Sequence, residues 1–180
     1  YLGSRNVKWG QIDIEKENDR IIFKNVNDEE TERLIKRYFD LERDYKKICE
    51  KLCGDSSFAK AFSEYEGIRI LKQDSWEALC SFIISQNNNI PRIMGIIDRF
   101  CSLFGEKLAD GDYTFPSYEN LKGITVQELA PLRAGFRAKY IVDAVNKVNS
   151  AEVDIKNLSN LDTQAAKKEL LKISGIGNKV

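Results

Sequence analysis

Three short stretches hold the residue types that could do chemistry. Near the C-terminus, Leu170-Leu171-Lys172-Ile173-Ser174-Gly175-Ile176-Gly177-Asn178-Lys179-Val180 sets two glycines and a lysine beyond an apolar run. Glycine is the default residue where the backbone takes positive φ or comes close to a ligand. A helix starting just after such a turn aims unpaired N–H groups outward, which suits a phosphate oxygen. Lys179 would sit in the first turn of that helix. A lysine amine with a pKa of about 10.4 is neutral at pH 7 only at a cost of about 4.6 kcal/mol. The positive end of a helix dipole and burial both reduce that cost. The neutral amine could then attack a sugar C1′ and form a Schiff base. The same residues also read as an ordinary helix C-cap, with a lysine that merely touches phosphate.

The second stretch is Asn87-Asn88-Asn89, followed closely by Arg92. Asparagine tolerates left-handed backbone, so one reading is a helix C-cap. The other is an amide wedge. A nucleotide turned out of a duplex leaves a hole and an unpaired partner base, and an amide that donates and accepts in one plane fits that hole. Arg92 could add donors to the orphaned base. The third stretch, Phe136-Arg137, is an aromatic-basic pair at the start of a helix. It reads either as core phenylalanine with surface arginine, or as a ring pushed into the base stack beside a base-binding guanidinium.

The chain around these residues excludes several classes. Among its 180 residues there is no histidine, which rules out Ser-His and Cys-His hydrolases and His-rich zinc sites. No run is long enough to span a bilayer, and 42% hydrophobic with 31% charged residues is a globular balance. Lys plus Arg and Asp plus Glu both number 28, yet the charge is unevenly spread. Residues 28–66 carry 11 acidic and 8 basic side chains, a net of −3, whereas residues 133–180 carry 9 basic and 5 acidic, a net of +4. A basic C-terminal part on a neutral chain fits a one-sided polyanion footprint, and equally fits solvated helix faces. Cys49, Cys53, Cys80 and Cys101 lack metal spacing and read as buried free thiols in a reducing cytosol.

The elements that must position these residues follow from periodicity. Residues 5–27 predict two short strands of an antiparallel hairpin, whose partners would lie upstream of Tyr1. Asn27 or Asp28 caps a helix carrying Leu34, Ile35, Tyr38 and Phe39; further helices hold Ile48 to Leu52 and Phe58 to Tyr65. Asp74 with Glu77 is an aspartate form of the capping box, opening a central core helix with Trp76, Leu79, Cys80, Phe82, Ile83 and Ile84. Pro91 opens the next helix from its first turn. A loop of low order over 105–117, short helices near 118–122 and 125–132, a helix through Ile141 to Val148, and a last helix capped by Asp162 or Thr163 complete the chain. The expected class is α+β: a small antiparallel β piece with a helix over 1–40, joined to a mainly helical domain over 41–180.

Together the three stretches resemble the 8-oxoguanine DNA glycosylases of the helix-hairpin-helix glycosylase superfamily. The likeness is tightest at Gln73-Asp74, Cys80-Ser81-Phe82-Ile83, Asn87-Asn88-Asn89-Ile90, Arg92-Ile93 and Gly175-Ile176-Gly177-Asn178-Lys179-Val180. It implies a helical glycosylase domain whose hairpin holds DNA through Gly175 and Gly177. Asn87 would fill the vacated space and, with Arg92 and Arg137, recognise the estranged cytosine. Phe136 stands where the family has a wedging tyrosine. Lys179 matches the lysine that displaces the oxidised guanine and forms the Schiff base. Carbonyls of Leu171, Ile173 and Ile176 match positions that can hold a structural monovalent or divalent cation, with no cofactor required for the chemistry. Ser174 replaces a common proline.

The family's catalytic aspartate lies beyond the hairpin's second helix, past Val180, so the expectation is a fragment truncated at the hairpin and inactive alone. The implied partner is double-stranded DNA containing 8-oxoguanine. The implied protein is a monomer without a membrane anchor, not secreted, and cytoplasmic at the nucleoid or nuclear according to its cell. Two other readings stand beside this one. One is a non-catalytic helix-hairpin-helix DNA-binding module, which needs the glycines but no lysine. The other is a monofunctional alkyl-purine glycosylase, which relies on an aspartate and normally has no lysine at this position.

Overall fold

The structure, a computed structural model, describes residues 5–7, 10–18, 20–24, 26, 28–65, 67–108 and 111–177. At the N-terminus three strands form where two were expected: β1 (Arg5–Val7), β2 (Gly10–Glu17) and β3 (Arg20–Lys24), in the order β1-β2-β3. β1 runs antiparallel to β2 with Arg5 opposite Ile12, Asn6 opposite Gln11 and Val7 opposite Gly10. The sequence carries the reason. Val7 and Trp9 are odd-numbered while Ile12 and Ile14 are even, and a strand cannot change that phase without a reversal or a bulge.

The chain groups into two compact units, Tyr1–Ile22 with Asp74–Val180, and Phe23–Gln73. The division falls within β3 and again just before Asp74. In the second unit, α1 (Glu29–Tyr38) starts on Asp28, whose carboxylate accepts the Thr31 N–H at 2.7 Å. Glu29, Glu30 and Glu32 face the positive end of its dipole. α2 (Tyr45–Leu52) and α3 (Ser56–Glu64) follow, each capped by an aspartate, Asp44 and Asp55.

Asp40 is the polar centre of that unit. It is buried, with left-handed backbone at φ 50°. Its carboxylate pairs with Lys72 at 2.7 Å and Arg43 at 2.8 Å and accepts the Tyr45 hydroxyl at 3.0 Å. Its carbonyl accepts Nη1 of Arg69 at 2.8 Å, and the Arg69 guanidinium lies 4.7 Å from the Tyr45 ring centre. The Lys72 hydrogen bond foremost, aided by Tyr45 and Arg43 against the cost of burial, holds the carboxyl below its usual value.

The other unit is built on α4 (Ser75–Ser85), α5 (Ile90–Phe104), α6 (Arg137–Asn149) and α7 (Thr163–Leu170), with single 3-10 turns at Ala130–Leu132 and Leu158–Asn160. α4 is the central helix, burying Trp76, Leu79, Cys80, Ile83 and Ile84 and packing on both α5 and α6. The Asp74 cap forms as expected, accepting the N–H groups of Trp76 and Glu77, each at 3.0 Å. Ile96 and Phe100 come in from α5, Ile141, Ala144 and Val145 from α6, and Ile173 from beyond α7.

Two expectations about the connections are corrected, and the described residues of the 105–117 loop make definite contacts: Lys107 bridges Tyr113, Thr114 N–H reaches the Glu106 carbonyl at 2.9 Å, and the Pro116 carbonyl accepts the Trp76 indole N–H at 3.0 Å. Phe115 also packs edge-on against Phe100. No α-helix forms over 118–122 or 125–132. Gly123 at φ 81° ends the first after one turn. In the second, Thr125 and Glu128 do form a capping box, with the Thr125 N–H 2.8 Å from the Glu128 carboxylate and the Glu128 N–H 3.3 Å from the Thr125 hydroxyl. Pro131, which lacks an N–H and crowds the preceding turn, stops the helix there. The stretch still delivers Leu121, Leu129 and Leu132 to the core. Of the four free thiols only Cys80 is fully buried. Cys53 is exposed, and burial pushes the half-buried Cys101 up to about 12.

Candidate functional site

The three asparagines divide their work. α4 ends at Ser85, and Gln86 takes extended backbone as its C-cap. Asn88 turns its amide back, donating from Nδ2 to the Ile84 carbonyl at 3.0 Å, while its Oδ1 accepts the Asn89 N–H. Asn89 is the N-cap of α5, its Oδ1 accepting the Arg92 N–H at 3.0 Å. Asn87 alone keeps its side chain uncommitted among the described residues, exposed on left-handed backbone at φ 44°. The capping reading therefore holds for Asn88 and Asn89 and leaves the Asn87 amide exposed. Pro91 sits in the first turn of α5, and Arg92 is exposed beside it.

Arg137 is the surprise. Sequence gave it a base-contacting role; in the structure it is 2% exposed and its guanidinium is spent on backbone. Nε reaches the Gln86 carbonyl at 2.8 Å, Nη2 donates to the carbonyls of Gln86 and Asn87, and Nη1 reaches Ala134 at 3.2 Å. It thus clamps the chain just where Asn87 projects. No carboxylate pairs with it among the described residues. Burial first, then the nearby charge of Arg92, lowers its pKa below the ordinary guanidinium value, though arginine stays protonated. Its guanidinium also stacks 4.5 Å from the Phe136 ring centre. Phe136 is no core residue: it is 48% exposed. Arg92 reaches the Arg133 carbonyl at 3.4 Å, a long contact that leaves it able to turn elsewhere.

The glycine turn is latched onto α6. Asp162 caps α7 through the Ala165 N–H at 2.8 Å. Beyond α7, buried Ile173 and Ile176 anchor the turn, and the Ile176 N–H closes it onto the Ile173 carbonyl at 3.1 Å. Asp143 accepts the Ser174 N–H at 2.7 Å and pairs with Lys147 at 3.1 Å, and Lys147 also donates to the Lys172 carbonyl. Burial pushes the Asp143 carboxyl up, but the Ser174 N–H and Lys147 outweigh it and hold the group below its usual value. Gly175 has φ 84°, and a Cβ there would stand 2.5 Å from the Tyr140 ring, so the turn needs glycine twice over. Around Gly177 nothing lies within 4 Å of an added Cβ among the described residues. Lys179 lies outside the described residues, as do Asn178 and Val180.

The fold thus gathers Asn87, Arg92, Phe136, Arg137 and Gly175 from three separated stretches. Tyr140 joins them, its ring edge-on to Phe136 at 5.9 Å. Sequence reading missed Gln86, Tyr140 and Asp143. The Phe136–Tyr140 spacing of one helical turn was a signal for the second; the first and third act across long sequence separations and left none. An exposed amide, an exposed ring and two positive guanidiniums on one side suit a polyanion with stacked bases.

Residues 5–79 match the family described as the 8-oxoguanine DNA glycosylase N-terminal domain. The chain is 32% identical to the N-glycosylase/DNA lyase of Saccharomyces cerevisiae over 92% of its own length and 49% of that protein's. It thus spans about half of that curated relative. Among solved structures, the Clostridium acetobutylicum 8-oxoguanine glycosylase/lyase, in complex with double-stranded DNA containing cytosine opposite 8-oxoG, superposes with TM-score 0.84 at 36% identity. The match covers 93% of this chain and 59% of that one. MBOgg1 in complex with a low-affinity DNA ligand gives TM-score 0.85 at 41% identity, over 94% and 60% of the two chains. The class is that of DNA glycosylases of the helix-hairpin-helix superfamily. Within it, the chain belongs with the 8-oxoguanine DNA glycosylases, the family its asparagine and glycine motifs resemble.

Proposed function

We propose that the protein excises 8-oxoguanine opposite cytosine from double-stranded DNA and then cleaves the strand as an abasic-site lyase. The observation that carries this reading is Asn87: a bare amide on left-handed backbone, flanked by two helix caps and clamped from beneath by Arg137. Asn87 fills the space of the everted nucleotide, Phe136 wedges the stack beside it, and Arg92 donates to the orphaned cytosine. Arg137 joins that recognition, through its charge from where it lies or by releasing its carbonyls. Gly175 and Gly177 let the hairpin approach the phosphates.

Lys179 supplies the nucleophile. Its neutral amine attacks C1′, a bond forms from C1′ to Nζ as the bond from C1′ to the base breaks, and the oxidised guanine leaves with a proton. The imine that follows on the opened sugar acidifies C2′ and allows the 3′-phosphate to leave.

A cation at the hairpin, held by carbonyls of Leu171, Ile173 and Ile176, belongs to the same proposal. The Ile173 carbonyl accepts one N–H and keeps a second lone pair. Among the described residues no cluster of His, Cys, Asp or Glu could hold a metal, so the donors would be neutral oxygens and the ion hard. It would help hold a DNA phosphate. No helix among the described residues is long and apolar enough to cross a membrane. The protein acts as a monomer where DNA lies, at the nucleoid or in the nucleus.

Borohydride trapping tests this reading. The full-length protein on an 8-oxoguanine:cytosine duplex should yield a covalent complex that Lys179→Gln abolishes. DNA binding without base release would leave a non-catalytic module; base release without a trapped adduct would leave a monofunctional glycosylase.

A further inference from the structure

One contact joins the glycine turn to the asparagine loop. Gln86 donates from Nε2 to the Gly175 carbonyl at 2.7 Å, across 89 positions of sequence. The same residue offers its own carbonyl to Nε and Nη2 of Arg137, and it directly precedes Asn87. Gln86 therefore touches both halves of the site: its backbone belongs to the loop that projects the amide, and its side chain holds the turn that leads, four residues on, to Lys179.

Among the described residues, three contacts hold the turn against one helix: the Tyr140 ring beneath Gly175, Asp143 on the Ser174 N–H, and Lys147 on the Lys172 carbonyl. All three come from α6. Gln86 is the contact from α4, the helix that runs into Asn87. Among the described residues, the turn is referenced directly to the asparagine loop through this amide.

We infer that Gln86 is a positioning residue that sets the distance between the Asn87 wedge and the lysine-bearing turn, so that the sugar opened by the wedge meets the amine. The inference rests on the glycosylase reading above. Near-attack geometry is sensitive at the scale of an ångström, where a misplacement costs about a hundredfold in rate. A loose turn would still bind phosphates, because glycine N–H groups and basic side chains do not need that register.

The test is Gln86→Met, which keeps length and removes the donor, in the full-length protein. Affinity for a duplex with a tetrahydrofuran abasic analogue opposite cytosine should stay within about twofold of wild type. Single-turnover base release from an 8-oxoguanine:cytosine duplex, and the rate of borohydride-trapped adduct, should both fall by about ten- to a hundredfold. Parallel losses of affinity and rate would mark a structural role only and overturn the inference, as would an unchanged rate. If wild type releases no base and traps no adduct, the glycosylase reading itself fails and this role goes with it. An active wild type with an equally active Gln86→Met removes the role of Gln86 alone.

Discussion

Among the described residues each compact unit buries one charged side chain, and the two are handled in opposite ways. Asp40 is met by Lys72, Arg43 and the Tyr45 hydroxyl, so its charge is neutralised within its own unit. Among the described residues Arg137 is met by carbonyls of Gln86, Asn87 and Ala134 and by the Phe136 ring, with no carboxylate, and lies near a second cation, Arg92. Burying an ion is costly unless it is paired, and breaking a matched pair loses what pairing gained. Asp40 accordingly works as a staple between α1, α2 and the segment at Arg69 to Lys72. Arg137 is hydrogen-bonded but electrostatically unfinished. Its charge adds to the uneven basic balance of residues 133–180.

Arg137→Met should separate the two hubs most sharply. It strips donors from three carbonyls at once and is expected to lower the unfolding free energy by about 2–3 kcal/mol in urea titrations, since hydrogen bonds to charged groups are worth that much. DNA affinity at fixed salt should fall with it. Asp40→Asn is expected to destabilise less and to leave DNA affinity unchanged, with amide exchange rising only near Tyr38, Ile70 and Lys72. Should Asp40→Asn weaken DNA binding as much as Arg137→Met, the contrast between staple and unfinished charge is wrong.

The smallest effect is on pH dependence. The folded pKa of Asp40 lies below the ordinary 3.8. Its stabilisation is therefore complete above that value and drains away as pH falls through the lower folded pKa. Acid titration of stability should show a steeper loss below about pH 3.8 in wild type than in Asp40→Asn. Arg137, always protonated, adds no such slope.

Local chemistry was legible in the sequence wherever the partner lay within a turn. Asp28, Asp74 and Asp162 all cap the helices expected of them, and Pro91 opens α5. The helix expected over 125–132 did not form, because Pro131 cut short the turn that Thr125 and Glu128 cap. The asparagine triplet was read as one object, either cap or wedge, whereas helix geometry splits it residue by residue. Arg137 was read as a surface or base-binding guanidinium, and it is buried. Its acceptors lie 50 and 51 positions away on the Asn87 loop, and no periodicity announces a partner at that range. Gln86 was invisible for the same reason, its acceptor lying 89 positions on.

The back-to-back caps around Asn87 bear on kinetics. Gln86 closes one helix, Asn89 starts the next, and Asn88 is tied back to Ile84, so Asn87 has little backbone freedom left to lose when a ligand arrives. A probe already set can be offered to successive base pairs without refolding at each. A protein searching long stretches of undamaged duplex would then be limited by how fast it slides, and not by how fast its own loop can organise.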